Sequence, residues 1–568
     1  MNTRFVMQMI CNSLCVCSFF PGHVAAGSDP TRLALPTLEQ IVWQDYEIGM
    51  FIHFSMNTWQ DQEYDDLSTP LSQFNPRQLD TDQWVNTAVN MGAKYIVFVA
   101  KHVGGFCMWP TKTTDYSVEN TPWRNGKGDV LADLAESCRK CGIRLGVYLS
   151  PADRKYGATV GGRCETKEAQ EEYGRIYREQ LTEVLSQYGE MVEVWFDGSL
   201  VVDVGDILAE YAPRAMIFQG PHATIRWVGN ESGYAPYPAW NSVRRIDGES
   251  GVATAVNGDP YGSMWLPLEC DARMRKTWFW SSNNADTLKT VEELMDMYYL
   301  SVGRGATLLL NHTPDPSGLI PEADAARASE FQEEIQKRFG RSVAETSGVG
   351  PLIELDLGSP TTIDHAIIME DIAFGERVRE YVIEGERDGN WEVLCSGTSI
   401  GHKKIDPFDP ITVSKVRFRA IQSVSQPLIR KLSVYDTNGA YSKKSIDVSV
   451  WEAPRDKNEV IVIWEWDEHS ITEDWQTVKI DIGQYCKEAG QYSLEFRADD
   501  GELKGLEIDS VILMVDNQDA PEFVKSLDRP GLYRISISGI DRTMDLRIRL
   551  RRVGERVRSG KLFFNADL

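Results

Sequence analysis

The sequence has 568 residues, too many for one hydrophobic core, so about two to four domains are expected. Its 84 acidic and 59 basic residues give a net charge of −25, which repels nucleic-acid backbones and anionic membrane surfaces. We therefore expect no nucleic-acid partner and no membrane partner, whereas 16 Trp and 21 Tyr favour a ligand with flat faces, such as a sugar.

The first 26 residues have the features of an export signal. Arg4 lies near the start, and the apolar run "FVMQMICNSLCVCSFF" is too short to span a bilayer comfortably. Val24, Ala25 and Ala26 then supply a small-residue cleavage site. We expect a signal peptide over residues 1–26 and a mature protein that is secreted or periplasmic.

Cysteine usage argues against a disulfide scaffold. Three of the ten cysteines lie in the predicted signal, and the other seven are an odd number spread over a long chain. Cys138 and Cys141 form a C-x-x-C pair with no second pair, so neither a zinc site nor a redox site is predicted there.

Strand-like and helix-like segments alternate from about residue 40 to residue 340. The helical run that starts after Asp129 has this residue as its predicted N-cap and Gly142 as its stop signal. Repeated strand and helix units over this length predict a parallel sheet, most economically a catalytic (β/α) barrel over residues 27–340. The predicted strands are "EIGMFIHF" (47–54), "KYIVFVA" (94–100), "IRLGVYLS" (143–150), "VEVWFDG" (192–198), "AMIFQG" (215–220) and "ATLLLN" (306–311).

Helical periodicity ends after Gly340. Runs such as "PLIELDLG" and "KVRFRAI" recur between turn residues and predict a β-sandwich over residues 341–440. A second β-sandwich is predicted over residues 441–568, where the Arg-rich run "LRIRLRRVGERVRSGK" alternates with period two and indicates a half-buried strand. The predicted fold class is thus α/β, a TIM-like barrel followed by two all-β domains.

Polar side chains follow four successive predicted strands. They are His53 after the first strand, Lys101 and His102 after the second, Tyr148 near the end of the third and Asp197 after the fourth. A single residue of this kind is commonly structural, but the carboxyl ends of barrel strands share one mouth. We expect a pocket there, with His102 facing it.

Two features sharpen this expectation. In "YIVFVAKHVGGFCMWP", Gly104 and Gly105 are expected to let the backbone turn sharply beside a ligand. In "EVWFDGS", Asp197 is a carboxylate flanked by apolar residues, suited to be a nucleophile, a metal ligand or a salt-bridge partner. No pair of histidines with ligand spacing accompanies it, so we expect no metal and no cofactor.

A retaining glycosidase needs a second carboxyl group opposite the first, about 5 to 5.5 Å away. "TIRWVGNESGYAPYPAW" (224–240) supplies Glu231 between Trp227 and Tyr234, and "MWLPLECDARMRKTWFW" (264–280) supplies the competitor Glu269. Both segments lack regular periodicity, so either glutamate can be an ordinary loop residue.

At this point the sequence resembles a known family. The runs "IGMFIHFSMNTW", "FNPRQLDTDQWVNTAVNMGAKYIVFVAKH", "GFCMWPTKTTDYSV", "GDVLADLAESCRKCGIRLGVYLSP", "YGEMVEVWFDG" and "IRWVGNESG" resemble the α-L-fucosidases of glycoside hydrolase family 29. The likeness covers roughly residues 38 to 340 and is greatest to the branch that acts on α-1,3/1,4-linked fucose. Residues 341–440 are similar, more weakly, to a discoidin-type galactose-binding-like sandwich.

The resemblance implies roles for particular residues. Asp197, in W-F-D-G, matches the family's nucleophile, and Glu231, in R-W-x-G-N-E, matches the acid/base of that branch. The resemblance also implies five sugar-binding positions: His53, Glu63, Tyr64, His102 and Tyr148. We add Trp227, which lies near Glu231 in the sequence, as a sixth sugar-binding residue.

The sequence also departs from the family pattern. The family's K-H-H-D-G-F is here Lys101-His102-Val103-Gly104-Gly105-Phe106, so Val103 replaces a His and Gly104 replaces an Asp. Loss of the His hydrogen bond would leave a buried sugar hydroxyl unpaired, at a cost of about 1 to 3 kcal/mol. The substrate is therefore expected to be fucose or a related sugar, such as sulfated fucose or L-galactose.

The sequence leaves two other hypotheses about the function open. One is a carbohydrate-binding protein that keeps the glycosidase fold without cleaving its ligand, and the other is a metal-dependent hydrolase. The β domains either bind glycan or only brace the barrel. The linkage, the aglycone and the oligomeric state are not specified by the sequence.

Overall fold

The computed structural model describes residues 33–243 and 258–440 with their side chains and, further on, the backbone of nine strands between residues 461 and 567. The proposed export signal, residues 1–26, lies outside the described residues. Internal contacts divide the chain into two compact units, Met1–Ile446 and Asp447–Leu568.

Eight parallel strands form a barrel in the first unit, and their order around it follows the chain. The last strand pairs with the first, and a single bridge between Phe218 and Ile225 joins the fifth strand to the start of the sixth. The predicted (β/α) barrel is confirmed. The strands are β1 (Ile48–Ile52), β2 (Tyr95–Lys101), β3 (Arg144–Leu149), β4 (Met191–Trp195), β5 (Met216–Phe218), β6 (Arg226–Trp227), β7 (Leu268–Arg273) and β8 (Thr307–His312).

Helices cover the outside of the barrel, and their ends follow the capping residues of the sequence. Asp129 accepts a hydrogen bond from the Ala132 amide at 2.8 Å, and Gly142 takes the left-handed conformation, with φ 69°, where this helix stops. The α-helices of the described residues are α1 (Leu38–Gln44), α2 (Asn57–Gln60), α3 (Thr81–Asn90), α4 (Val130–Cys141), α5 (Lys167–Gln187), α6 (Gly205–Tyr211), α7 (Val291–Leu300) and α8 (Glu322–Phe339).

Two barrel strands lie where the sequence predicts loops. Strand β6 has only two residues, and β7 has a polar residue at every second position. Because successive side chains of a strand point to opposite faces, Glu269, Asp271 and Arg273 all face the barrel interior. The prediction that Glu269 lies on a loop is wrong, because these inward polar residues interrupt the apolar run that would indicate a strand.

A pair of buried glutamates lies in the barrel interior below its mouth. The Trp43 indole donates to Glu193 at 2.9 Å, while Trp195 and Tyr95 donate to the two oxygens of Glu269 at 2.7 and 3.1 Å. The other oxygen of Glu193 accepts no hydrogen bond from a described residue. It can form a hydrogen bond with Glu269 only if one of the two carboxyl groups holds a proton. The pair is therefore a carboxylic acid hydrogen-bonded to a carboxylate.

Burial is the main reason why this pair keeps a proton. Burial, followed by the charge of Glu269, raises the pKa of Glu193 well above its usual value. Burial also raises the pKa of Glu269 to about 7, against the opposing hydrogen bonds from Trp195 and Tyr95.

The first β domain is a six-stranded antiparallel sheet that packs on the barrel within the first unit. Buried Glu376 accepts hydrogen bonds from the backbone and side-chain nitrogens of Asn241 at 2.9 to 3.2 Å. The Tyr237 hydroxyl donates to the Ser399 carbonyl oxygen at 3.1 Å. The strands are β9 (Ala344–Val349), β10 (Leu352–Glu370), β11 (Val378–Arg387), β12 (Asn390–Gly397), β13 (Lys404–Ser423) and β14 (Leu428–Tyr435).

The second unit contains a five-stranded and a four-stranded antiparallel sheet. Residues 546–552 of the Arg-rich run lie in a central strand of the smaller sheet, as the period of two predicts. The strands are β15 (Ile461–Trp466), β16 (Gln476–Asp481), β17 (Gly490–Ala498), β18 (Leu506–Val515), β19 (Gln518–Asp519), β20 (Val524–Ser526), β21 (Leu532–Ile537), β22 (Met544–Arg552) and β23 (Gly560–Asp567).

Two further observations concern the described residues alone. None of their helices combines the length and apolarity that a bilayer crossing requires. Their six cysteines are free thiols, and the C-x-x-C pair ends α4 with Cys138 buried and Cys141 exposed.

Glu193→Gln should flatten the pH dependence of stability. In the folded state the pKa of Glu269 is raised to about 7 and that of Glu193 well above its usual value, whereas unfolded glutamates lose their protons at about pH 4.3, so stability falls as pH rises through this range. An amide at position 193 still donates to Glu269 and removes one of the two charges. We expect the midpoint of thermal unfolding to decrease less in the variant than in wild type from about pH 5 to about pH 8.

Glu136→Gln is the matched control, because this glutamate is exposed and pairs only with Arg139 on the same helix. In Glu136→Gln, the midpoint of thermal unfolding should depend on pH as steeply as in wild type. A Glu193→Gln slope as steep as that of wild type would show that the buried pair does not share a proton.

Candidate active site

The carboxyl ends of the barrel strands open onto a cavity of about 190 Å³. It is smaller than the sites of drug-sized ligands, which begin at about 300 Å³, and suits a single sugar ring. Eight residues that the sequence singles out line it together: His53, Glu63, Tyr64, His102, Tyr148, Asp197, Trp227 and Glu231. The structure thus brings together side chains separated by up to 178 residues.

Asp197 lies two residues beyond β4, at the start of a turn. Gly198 and Ser199 follow with φ of 72° and 107°, and this turn directs the carboxyl group into the cavity. The Tyr148 hydroxyl donates to Asp197 Oδ2 at 2.9 Å. Burial raises the pKa of Asp197 above its usual value, the Tyr148 hydrogen bond lowers it, and the charge of Glu231 raises it.

Glu231 lies at the rim, on the segment that follows β6. Its side chain is 47% exposed, the Trp278 indole donates to its Oε2 at 3.0 Å, and Arg273 lies 3.6 Å from the same oxygen. Both contacts complement a negative charge on this carboxyl group.

Glu63 and Tyr64 form another part of the rim. The backbone amide of Trp278 donates to both oxygens of Glu63, at 3.0 and 3.2 Å. Burial raises the pKa of Glu63, against this hydrogen bond. Tyr64 is 57% exposed, with the Arg154 guanidinium 6.0 Å from its ring centre, so it marks the outer edge of the cavity.

One wall of the cavity is a continuous stack of aromatic rings. Tyr64 stacks on His102, His102 on Tyr148 and Tyr148 on Trp195, with ring centres 5.7 to 6.2 Å apart and planes within 26°. Trp195 then stacks on Phe218 at 3.6 Å. The rings make this wall of the cavity apolar and rigid, as suits contact with a sugar.

Both cavity histidines are neutral. Burial is the main cause that lowers the pKa of His53 well below its usual value and that of His102 to about 3. His53 Nδ1 lies 2.7 Å from Asn311 Oδ1, so this nitrogen is the donor and the other is an acceptor. The buried Nδ1 of His102 has no hydrogen-bond partner among the described residues.

Several cavity residues are absent from the sequence prediction. They are Asp271, in β7, Trp278, in the segment after it, and Gln219, directly after β5 with φ 67°. Arg273 contacts Glu231 from the end of β7. The strand-end reasoning used for the first four strands would have found Asp271 and Arg273, but β7 could not be identified as a strand.

Lys101 is the last residue of β2, at the strand end as predicted, yet it does not line the cavity. It is completely buried, and its ammonium group contacts Asp153 at 2.9 Å, Gln180 at 2.8 Å and the Tyr173 hydroxyl at 3.3 Å. Lys101 is therefore a structural ion-pair residue, whereas its neighbour His102 faces the cavity.

The glycine pair turns beside two carboxylates of the protein itself. A Cβ atom on Gly104 would lie 2.3 Å from Asp65 Oδ2, and one on Gly105, which has φ 94°, would lie 2.3 Å from Asp153 Oδ1. Neither glycine nor Val103 is among the residues that line the cavity. The expectation that the pair adjoins a ligand is wrong, and the space beside it belongs to Asp65 and Asp153.

Glu269, the alternative acid/base, is buried in the barrel interior with Glu193 and does not line the cavity. In the described part of the chain, no three His, Cys, Asp or Glu side chains stand close enough to share a metal ion.

Comparison with known sequences gives a consistent set of relatives. A family model described as alpha-L-fucosidase matches residues 57–333. Alpha-L-fucosidase 1 of Arabidopsis thaliana is 32% identical over 482 residues, which is 75% of this chain and 93% of that protein.

Solved structures extend the likeness to the fold. A glycoside hydrolase 29 family member from an unknown rumen bacterium is 28% identical with a TM-score of 0.66 and covers 94% of this chain and 100% of its own. A GH29 fucosidase of Ruminococcus gnavus, solved in complex with fucose, is 26% identical with a TM-score of 0.65 and covers 73% of this chain and 97% of its own.

Gly105→Ala should destabilise the protein severely. The left-handed conformation costs a non-glycine residue about 1 to 2 kcal/mol, and the added methyl group would also displace Asp153 from buried Lys101. We expect the free energy of unfolding to fall by more than about 3 kcal/mol, measured by chemical denaturation.

Gly142→Ala is the matched control. Gly142 also has a left-handed φ, of 69°, but an added Cβ there meets nothing within 4 Å. The free energy of unfolding should fall by only about 1 kcal/mol in Gly142→Ala. Equal losses in the two variants would mean that the contact with Asp153 does not constrain position 105.

Proposed function

The chain belongs to the α-L-fucosidases of glycoside hydrolase family 29, and on that premise we propose that it is a retaining exo-glycosidase that releases terminal α-L-fucosyl residues from glycans. Asp197 is the nucleophile and Glu231 the acid/base. The observation that carries this proposal is that both carboxyl groups line one cavity of about 190 Å³, with sugar-stacking rings on its wall.

In the first step, Asp197 attacks the anomeric carbon and forms a glycosyl-enzyme bond. Glu231 donates its proton to the glycosidic oxygen, and the C–O bond to the aglycone breaks. Tyr148 supports this step, because its hydroxyl holds Asp197 Oδ2 in place and stabilises its negative charge. Asp197 must therefore be ionised when the sugar binds.

In the second step, Glu231 removes a proton from a water molecule, whose oxygen attacks the anomeric carbon and releases Asp197. Two inversions leave the sugar with its original configuration. Entry of the sugar expels water from the cavity, and two neighbouring carboxylates repel each other more strongly without water. The proton that Glu231 needs is thus favoured by substrate binding, although Arg273 and Trp278 favour its charged form before the sugar arrives.

The other cavity residues recognise the sugar. His53 and His102 are neutral and offer ring nitrogens to hydroxyl groups, while Tyr64 and Trp227 supply aromatic contacts. Glu63 accepts hydrogen bonds at the rim, where the aglycone leaves the cavity.

The sugar is α-L-fucose or a close relative. The R. gnavus relative was solved with fucose, which favours fucose here. The motif Lys101-His102-Val103-Gly104 has Val103 where the family pattern has a His, and a valine side chain offers no hydrogen bond to a sugar. Sulfated fucose and L-galactose remain part of the proposal for this reason, and a release assay across fucosylated, sulfated and L-galactosylated glycans separates them.

Localisation belongs to the same proposal. The predicted signal over residues 1–26 would place the enzyme outside the cytoplasm, as a secreted or periplasmic protein that meets glycans there.

Substitution of the two carboxyl groups should give different kinetic signatures. Asp197→Ala removes the nucleophile and should lower kcat on p-nitrophenyl α-L-fucoside about 10³-fold or more without loss of folding. Glu231→Gly should lose mainly the turnover of substrates with poor leaving groups, and azide should restore its rate on a good one by taking the place of the deprotonated water. Wild-type rates in Asp197→Ala, or azide rescue of Glu269→Gly instead, would refute the assignment.

Tyr148→Phe should shift the pH profile. Loss of a hydrogen bond to a charged group removes about 1.5 to 3 kcal/mol of stabilisation from the anion of Asp197 and raises its pKa further. Because the nucleophile must be charged, the acid limb of kcat/KM should move by about one to two units to higher pH.

The matched control is Tyr177→Phe. Tyr177 is also buried and donates to the Leu149 carbonyl oxygen at 2.9 Å, away from the cavity. The acid limb of the kcat/KM profile should stay at its wild-type pH in Tyr177→Phe. An unmoved limb in Tyr148→Phe would show that the phenol does not stabilise the nucleophile.

A further inference from the structure

Asp271 is a third carboxyl group close to the two proposed catalytic ones. It lies on β7, between the core residue Glu269 and the rim residue Arg273 of the same inward row, and it lines the sugar cavity while being only 4% exposed. The mechanism above gives it no role.

The two carboxyl oxygens of Asp271 differ in their hydrogen bonds. Its Oδ1 accepts from the Trp227 indole at 2.7 Å. Its Oδ2 accepts no hydrogen bond from another described residue, so the second oxygen is available to a ligand. Trp227 is itself a cavity residue, and Asp271 therefore also fixes the orientation of that ring.

The three carboxyl groups are compensated to different degrees. Glu231 has Arg273 and the Trp278 indole, and Asp197, which is more exposed than Asp271, accepts from the Tyr148 phenol. Asp271 accepts from one neutral indole and from its own backbone amide, and its charged neighbours Glu231 and Glu269 are both acidic. Glu63 also lines the cavity, and negative charges crowded into so small a volume repel one another, which favours a proton on the least compensated and most buried group.

We propose that Asp271 works as a protonated carboxyl group, which accepts from Trp227 through Oδ1 and donates a hydrogen bond from Oδ2 to a hydroxyl group of the bound sugar. Burial, followed by the opposing indole contact and the charges of Glu231 and Glu269, keeps its pKa well above the usual value. A donor there selects a sugar that presents an acceptor oxygen at that position. This inference rests on the proposed fucosidase function and adds a specificity-determining residue to it.

The experiment compares Asp271→Asn with Asp271→Leu. The amide can accept from Trp227 and donate toward the sugar as a protonated acid does, whereas leucine has a similar volume and no polar atom. On p-nitrophenyl α-L-fucoside we expect kcat/KM within about threefold of wild type for D271N and a loss of about 10- to 100-fold for D271L. A loss in D271N equal to that in D271L means that the charged form is required and overturns the proposal, as do wild-type values in both variants.

Asp197→Asn is the matched control, because it makes the same change on the neighbouring carboxyl group. It should abolish turnover, so two Asp-to-Asn substitutions in one cavity should have opposite outcomes. If azide rescues D271N, as expected for an acid/base variant, Asp271 transfers the proton itself and the proposal is overturned.

A second readout is independent of activity and of the folding of D271L. An infrared difference spectrum, wild type minus D271N at about pH 7, should contain the carbonyl band of a protonated carboxyl group. A carboxylate band instead overturns the proposal. Failure of the fucosidase function itself is recognised separately, as a wild-type enzyme that releases no fucose while this spectrum still reports the state of Asp271.

Discussion

The parallel direction of the eight barrel strands is the constraint on which the site depends. Because every strand runs the same way, the carboxyl ends of all eight meet at one mouth, and side chains far apart in the sequence become neighbours. The period of two adds depth to this arrangement. Along β7, Glu269 reaches the core, Asp271 the cavity and Arg273 the rim, so one short strand contributes a charged or polar group to each level.

The cavity concentrates carboxyl groups in a small apolar volume, and each has its own compensation. A phenol serves Asp197, a backbone amide serves Glu63, an arginine and an indole serve Glu231, and a single indole serves Asp271. These partners differ in charge and in access to water, so chemically similar groups take different protonation states. That difference is what a mechanism with one charged and one protonated carboxyl group requires.

The core and the site are connected through Trp195. Its indole nitrogen donates to Glu269 of the buried glutamate pair, while its ring stacks on Tyr148, whose hydroxyl holds Asp197. Three contacts thus lead from a proton-sharing pair in the barrel interior to the proposed nucleophile. The same ring belongs to the aromatic wall, so the groups that hold the core together also shape the surface on which the sugar lies.

Local patterns in the sequence determined the strands that are apolar throughout, the N-cap at Asp129, the stop at Gly142 and the polar residues that end β1 to β4. They also placed Asp197 and Glu231 among the candidates, because their flanking motifs are continuous in the chain. Only the tertiary structure decided that Glu269 belongs to the core, that Lys101 pairs with Asp153, and that Asp271, Trp278 and Arg273 join the site. The physical reason is that burial and partner contacts depend on residues distant in sequence, and a strand such as β7, with polar side chains turned inward, carries no local signal of what will surround them.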